Sequence, residues 1–169
     1  MDAIDAILSR RSIRRYTSKP VPEDLLNDLL KAAMSAPSAG NEQPWHFIII
    51  TDRKILNEIP GFHPYSHMLK EAQVAVVVCA DIRLEKFKGF WVQDCSAASE
   101  NLLIAAHAKG LGAVWTGIYP DNDRVLNLKK LLNLPEDVMP LSLIPIGWPA
   151  EKKEREDRFQ QARIHYNKW

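Results

Sequence analysis

The residues with the most evident chemical potential open the chain. Arg10, Arg11, Ser12, Ile13, Arg14, Arg15 and Tyr16 put four arginines and a hydroxyl within six residues. Guanidiniums this close repel one another unless an anion or nearby carboxylates compensate them. The chain as a whole carries 22 Lys+Arg against 21 Asp+Glu, a net charge of +1, so the cluster is local. A nucleic-acid module would spread a broader basic excess with interleaved aromatics, which is missing here. Two readings stay open on charge alone: a solvated basic turn, or a site for a small dense anion such as a phosphate.

Three further stretches could join it. Pro37-Ser38-Ala39-Gly40-Asn41-Glu42-Gln43-Pro44-Trp45 is too elaborate for a plain linker. Ala39 and Gly40 permit close backbone approach, while Asn41 and Gln43 offer paired donors and acceptors suited to a flat polar heterocycle. The blander reading has Asn41 capping a turn and Trp45 filling the core. The others are the turn at Thr116-Gly117 and the run from Gly147 to Arg158. No P-loop is present, and Gly110-Leu111-Gly112 lacks a third glycine and follows a helix pattern, as a helix C-cap does. His63 and His67 are four apart, but Pro64 intervenes and no third metal ligand accompanies them. Cys95 lies among small helical residues and reads as packing.

The elements that must position these groups follow from periodicity. Ile4, Ile7 and Leu8 predict a short first helix ending at the arginines. Pro22, Glu23 and Asp24 open a second, whose stripe is Leu25, Leu26, Leu29, Leu30 and Ala33. Apolar runs predict strands at His46–Thr51, Val74–Ala80, Gly112–Gly117 and Met139–Ile146. Short helical turns are expected at 54–59 and 67–71, a long helix from Phe90 to Lys109, and another from Asp123 to Leu132. Helices interleaved with about four strands make an α+β protein, an α/β sandwich.

With 169 residues, 46% hydrophobic and 25% charged, the chain reads as a single domain, residues 1–169, with a real core. No apolar run approaches the roughly 20 residues of a membrane span. Met1 to Arg11 does not read as a signal peptide. Cys79 and Cys95 fall inside predicted elements, as free thiols in a reducing cytoplasm do. A cytoplasmic location is therefore expected. After Glu151 the chain is mostly charged, yet it ends in Tyr166 and Trp169, aromatics expected to pack on something, such as a partner subunit.

In order and spacing, Arg10-Arg11-Ser12-Ile13-Arg14, then Pro37-Ser38 with Asn41, Gln43, Pro44, Trp45 and Phe47, then Gly147-Trp148-Pro149-Ala150-Glu151 with Arg158, resemble the FMN-dependent nitroreductase family over nearly the whole chain. The resemblance implies a central mixed sheet of four to five strands and an intertwined homodimer with FMN at the subunit interface. It implies that Arg10, Ser12 and Arg158 hold the FMN phosphate, with Arg11 in the same segment. Arg14 would reach the pyrimidine end of the flavin, where a cation favours the reduced ring, and Arg15 would be solvated or ion-paired. Pro37, Ser38 and Ala39 would approach from the second subunit, Asn41 would also bind the cofactor, and Thr116 and Gly117 would lie near flavin N5. It further implies ping-pong electron transfer from NADH or NADPH to a nitroaromatic, quinone or similar small acceptor, with no catalytic side chain and no metal. Relatives with other flavin roles, such as reductive dehalogenation, dehydrogenation or non-catalytic flavin carriage, share the pattern. Phe62 to Met68 is shorter than the insertion of larger members and carries His63, Tyr65 and His67, so the roof over the flavin should differ from theirs.

Overall fold

The computed structural model describes residues 1–169. Five helices and five strands follow in the order α1 (Ala3–Ser9), α2 (Glu23–Met34), β1 (Trp45–Ile50), α3 (Arg53–Glu58), β2 (Val74–Asp81), α4 (Trp91–Ala108), β3 (Gly112–Ala113), β4 (Thr116–Gly117), α5 (Asn122–Leu132) and β5 (Val138–Gly147). All eight residues of β2 are buried, as a strand covered on both faces must be. Val74, Val76, Val78 and Ala80 face a core shared with Leu26 and Leu29 of α2 and Ala98 and Leu102 of α4. Ala75, Val77 and Cys79 face the other core, with Leu56 of α3 and Val125 and Leu128 of α5. The result is three layers, with α2 and α4 on one side and α3 and α5 on the other. Cys79 and Cys95 are buried free thiols, and desolvation pushes the Cys79 thiol up to about 12.

The sheet runs β1-β2-β5-β3, with β4 also on β5, and every strand pair is antiparallel. The expected mixed character survives only as a parallel bridge between Ser12 and Ala113. The expected strand 112–117 is broken into β3 and β4. Gly112 pairs with Gly147 and Ala113 with Ile146, then Thr116 with Leu143 and Gly117 with Ser142, so the register is unchanged across the break. Val114 between them is buried against Tyr16, Met68 and Ala72.

Local signals explain the element ends. Asp121 accepts from the N–H of Arg124 and starts α5 one residue earlier than its apolar pattern predicts. Gly110 closes α4 at φ +79°, where Leu111 N–H bonds back to Ala106, as a C-terminal glycine cap requires. The start of α4 is capped from a distance, Glu85 accepting from the N–H groups of Gly89 and Trp91.

The arginine segment lies along this frame because two glycines leave room for it. A Cβ on Gly112 would meet Ile13 Cγ2 at 2.6 Å, and one on Gly147 would meet Tyr16 Cδ1 at 3.0 Å. Gly112→Ala is therefore expected to cost about 1–3 kcal/mol by overpacking. Urea denaturation checks this; an unshifted midpoint would mean that Ile13 moves aside freely.

Candidate functional site

Two carboxylates fix the arginine segment. Glu151 Oε1 accepts from the backbone N–H of Arg14 at 2.5 Å and of Arg15 at 3.2 Å. Glu71 Oε2 accepts from the N–H of Tyr16 at 3.1 Å and from Arg15 Nε. Both carboxyls are held below the ordinary value, Glu151 chiefly by the Arg14 N–H and Glu71 chiefly by the Tyr16 N–H. On the other side Tyr16 is buried and its hydroxyl donates to the carbonyl of Ile13 at 2.6 Å. The backbone between Arg10 and Arg15 is thus pinned while its side chains divide between two cavities.

The first cavity has a volume of about 820 Å³ and is lined by Arg14, Arg15, Tyr65, His67, Thr116, Gly117 and Arg124, among others. Arg14 and the Thr116-Gly117 turn, distant in sequence, line this one cavity together. The Thr116 hydroxyl is spent on the Leu143 carbonyl at 2.7 Å, so this turn offers backbone and not a side chain. The space on the Cβ side of Gly117 is empty to 4 Å. Arg15 forms the ion pair expected of it, 3.0 Å from Glu71. Arg124 donates to the Gly117 carbonyl at 3.0 Å, pairs with Asp121 and stands over the Tyr65 ring. His63 lines the same wall but is fully buried, and desolvation, then the Arg124 charge, lower its basicity. No group of three or more His, Cys, Asp and Glu side chains is placed to hold a metal ion.

The second cavity, about 840 Å³, gathers Arg10, Arg11, Arg155 and Arg158 with Glu156 and Asp157. Arg10 pairs with Glu100 of α4 at 3.2 Å. Arg11 binds carbonyls of Leu8, Arg10, Glu154 and Glu156 and so ties the C-terminal segment to the arginines. Arg158 pairs with Glu156 at 2.9 Å. Ser12 lines neither cavity; its carbonyl accepts from Lys153 Nζ at 2.8 Å.

The 37–43 loop lines neither cavity. It holds three residues with left-handed backbone, Gly40 at φ +51°, Asn41 at +53° and Gln43 at +48°. The Ser38 hydroxyl accepts from Gln43 N–H, Gln43 Nε2 donates to Asn41, and the Phe87 ring covers Gly40. Pro37 and Asn41 face outward, with Ser38 and Ala39 half-buried.

Four contributors escaped the sequence reading: Arg124, Arg155, Glu71 and the clamping role of Glu151. Arg124 carries a faint signal, since an arginine one turn into a helix after Asp121 returns to the preceding loop. Glu71 carries none, because its partner lies 55 residues away.

A model of the nitroreductase family matches residues 7–77 and 62–148. The chain belongs to the nitroreductase family. A Methanothermobacter thermautotrophicus protein named as a candidate NADH dehydrogenase/NAD(P)H nitroreductase is 54% identical over 169 residues, all of this chain and 88% of that one. A crystal structure of a Parabacteroides distasonis protein with the same name is 44% identical, covers 99% of this chain and 98% of that one, and superposes with a TM-score of 0.95. A candidate nitroreductase of Desulfovibrio desulfuricans, solved in complex with FMN, is 29% identical at TM-score 0.86, over 100% and 98% of the two chains. Family membership makes this protein an oxidoreductase.

Glu151→Gln tests the clamp on the arginine segment. It exchanges two hydrogen bonds to a charged acceptor for neutral ones, so a loss of about 1 kcal/mol at neutral pH is expected. A carboxyl held low in the folded state stabilises above the ordinary carboxylate range, and that stability is lost as pH falls through its folded value. The difference between wild type and variant in urea should therefore close on acidification. A difference independent of pH would exclude an ionised clamp.

Proposed function

We propose that the protein is an FMN-dependent oxidoreductase that passes electrons from NADH or NADPH to a nitroaromatic, quinone or similar flat acceptor in two successive half-reactions. The observation that carries this reading is one pinned segment serving two cavities of different chemistry. Arg10 and Arg11 stand in a cavity of four arginines, a donor set suited to a phosphate dianion through bidentate, charge-assisted bonds. Arg14 stands in a cavity with open backbone at Gly117, suited to a flat ring approaching closely. Four residues separate Arg10 from Arg14, a reach of up to roughly 13 Å, so a single elongated ligand with a phosphate at one end and a ring at the other fits both. The residues present therefore fit FMN.

FMN, when bound, would supply the acceptance and release of hydride. The chain's own groups bind and orient it. Arg10, Arg11 and Arg158 would hold the phosphate together with Ser12, which neighbours them in the same segment. The Arg14 guanidinium would place positive charge beside the pyrimidine edge, where negative charge grows on reduction. Thr116 and Gly117 would offer backbone N–H groups to the ring. Tyr65 and His67 would form the open side where nicotinamide and acceptor enter in turn.

Two features of the single chain support a homodimer. The Pro37–Asn41 loop lies outside both cavities of its own chain, as a loop serving a partner's site would. Apolar surface is also left uncovered: Ile4 and Ile7 of α1 are 65% and 51% exposed, and Trp169 is fully exposed with only His165 stacked on it. No helix is long and apolar enough to cross a membrane, so a second copy is the covering surface this reading assigns.

Purified protein is expected to be yellow, with flavin absorbance released on denaturation. Arg10→Ala and Arg158→Ala should each weaken FMN binding by about 1.5–3 kcal/mol, the worth of a hydrogen bond to a charged group. Fluorescence titration measures this, and unchanged affinity removes that residue from the phosphate site. Oxidation of NAD(P)H with menadione or nitrofurazone tests the acceptor class. Absence of turnover by the FMN-loaded protein would contradict the catalytic reading.

A further inference from the structure

Beneath the 37–43 loop lie two buried carboxyls that the binding cavities do not use. Glu42 is 7% exposed and Asp94, in the first turn of α4, is 4% exposed. Backbone donors account for one oxygen of each. Glu42 Oε2 accepts from the N–H of Lys86 at 2.6 Å and of Phe87 at 3.1 Å. Asp94 Oδ1 accepts from the N–H of Ala39 at 2.9 Å. The remaining oxygens, Glu42 Oε1 and Asp94 Oδ2, are buried without any hydrogen-bond partner, and the two carboxyls are near enough for each to perturb the other. Two neighbouring buried carboxylates would leave both oxygens as acceptors without a hydrogen, so a proton on one of them is the missing donor.

We propose that Asp94 and Glu42 share one proton, carried on Asp94, and that this acid pair is the positioning device that holds the 38–43 loop in its left-handed form. The two N–H bonds to Glu42 favour its anion, so the proton belongs to the partner with one. The directions agree: burial raises the Asp94 carboxyl, whereas for Glu42 burial is outweighed by the Lys86 and Phe87 N–H groups together with Asp94 and the Lys86 charge, and its carboxyl is lowered. The need for a clamp is visible in the loop, whose left-handed residues are costly unless the surroundings over-determine them. Through the pair, the loop is tied at Ala39 to α4 and at Glu42 to the 86–87 backbone. The charged groups facing the pair are Lys86, whose Nζ reaches the Gly40 carbonyl at 3.1 Å, and Glu85, which raises Asp94 further.

The pair acts below the pH at which the shared proton leaves. A carboxyl raised in the folded state contributes order that is complete below the ordinary carboxylate range and is lost as pH rises through its folded value. Above that value two adjacent buried anions repel, and the loop loosens. The role of this motion in flavin binding rests on the preceding reading of the loop as a contact to the partner's flavin.

The test uses the intact apoprotein first. Infrared difference spectra across a pH titration should show a protonated carboxylic-acid carbonyl band that persists above the ordinary carboxylate range and is lost in Asp94→Asn. Amide exchange at Ala39 and Gln43 should speed up over the same pH interval in wild type. In Asp94→Asn it should stay slow throughout, because the amide keeps the acceptor for Ala39 and the donor for Glu42. Asp94→Ala should exchange fast at every pH. Absence of the acid band, or equally fast exchange in Asp94→Asn and Asp94→Ala, overturns the proposal. FMN titration then separates the two readings: Asp94→Ala should bind about tenfold more weakly, the equivalent of one hydrogen bond to a charged group. Unchanged FMN affinity with lost loop protection would sustain the acid pair and overturn the flavin role of the loop.

Discussion

The structure depends on how a strongly cationic segment is kept against a sheet. Four arginines within six residues would repel and fray if only their side chains decided. Glu151 and Glu71 instead take the backbone N–H groups of Arg14, Arg15 and Tyr16, from the end of β5 and from the turn before β2. Gly112 and Gly147 remove the side chains that would push the segment away. Tyr16 fills the space beneath. Held from behind in this way, the backbone stays in place while Arg10, Arg11 and Arg15 find carboxylate or carbonyl partners of their own. Arg10 and Arg14, four positions apart, line separate cavities because the segment runs past both.

The same device recurs at the second loop. There too the backbone is strained or crowded, and buried carboxyls restrain it from inside: Asp94 on Ala39, Glu42 on Lys86 and Phe87. Both segments are therefore irregular stretches held by carboxyl-to-backbone bonds, from Asp94 on α4 for the loop and from Glu151 and Glu71 in connecting stretches for the arginine segment. Apolar surface on α1 and the C-terminal segment is left uncovered within one chain. A fold of this size with short strands encloses little, which is why a second copy is proposed to complete it.

Much of this was legible from residue patterns. The covered strand β2, the amphipathic α2 and the Gly110 cap follow from local signals that tertiary context did not override. The arginine segment, the 37–45 loop and Arg158 were visible as motifs because their chemistry is concentrated in a few residues. The break between β3 and β4 was not visible, since Val114 and Trp115 are as strand-like as their neighbours and only packing on Tyr16 and the main core interrupts the ladder. Glu71, Arg124 and the Asp94–Glu42 contact were hidden for another reason. A lone acid or arginine carries no periodic signal, and its meaning comes from a partner tens of residues away. Ser12 shows the converse, a motif residue whose side chain lines neither cavity in the folded chain.

The central claim is that one pinned segment reads two ends of a single ligand. Riboflavin, which lacks the phosphate, separates those ends. Titration of FMN and of riboflavin into wild type, Arg10→Ala and Arg14→Ala measures each contact by itself. The account predicts that Arg10→Ala weakens FMN and leaves riboflavin unchanged, whereas Arg14→Ala weakens both. Equal losses for the two ligands in Arg10→Ala, or none in Arg14→Ala, would contradict it.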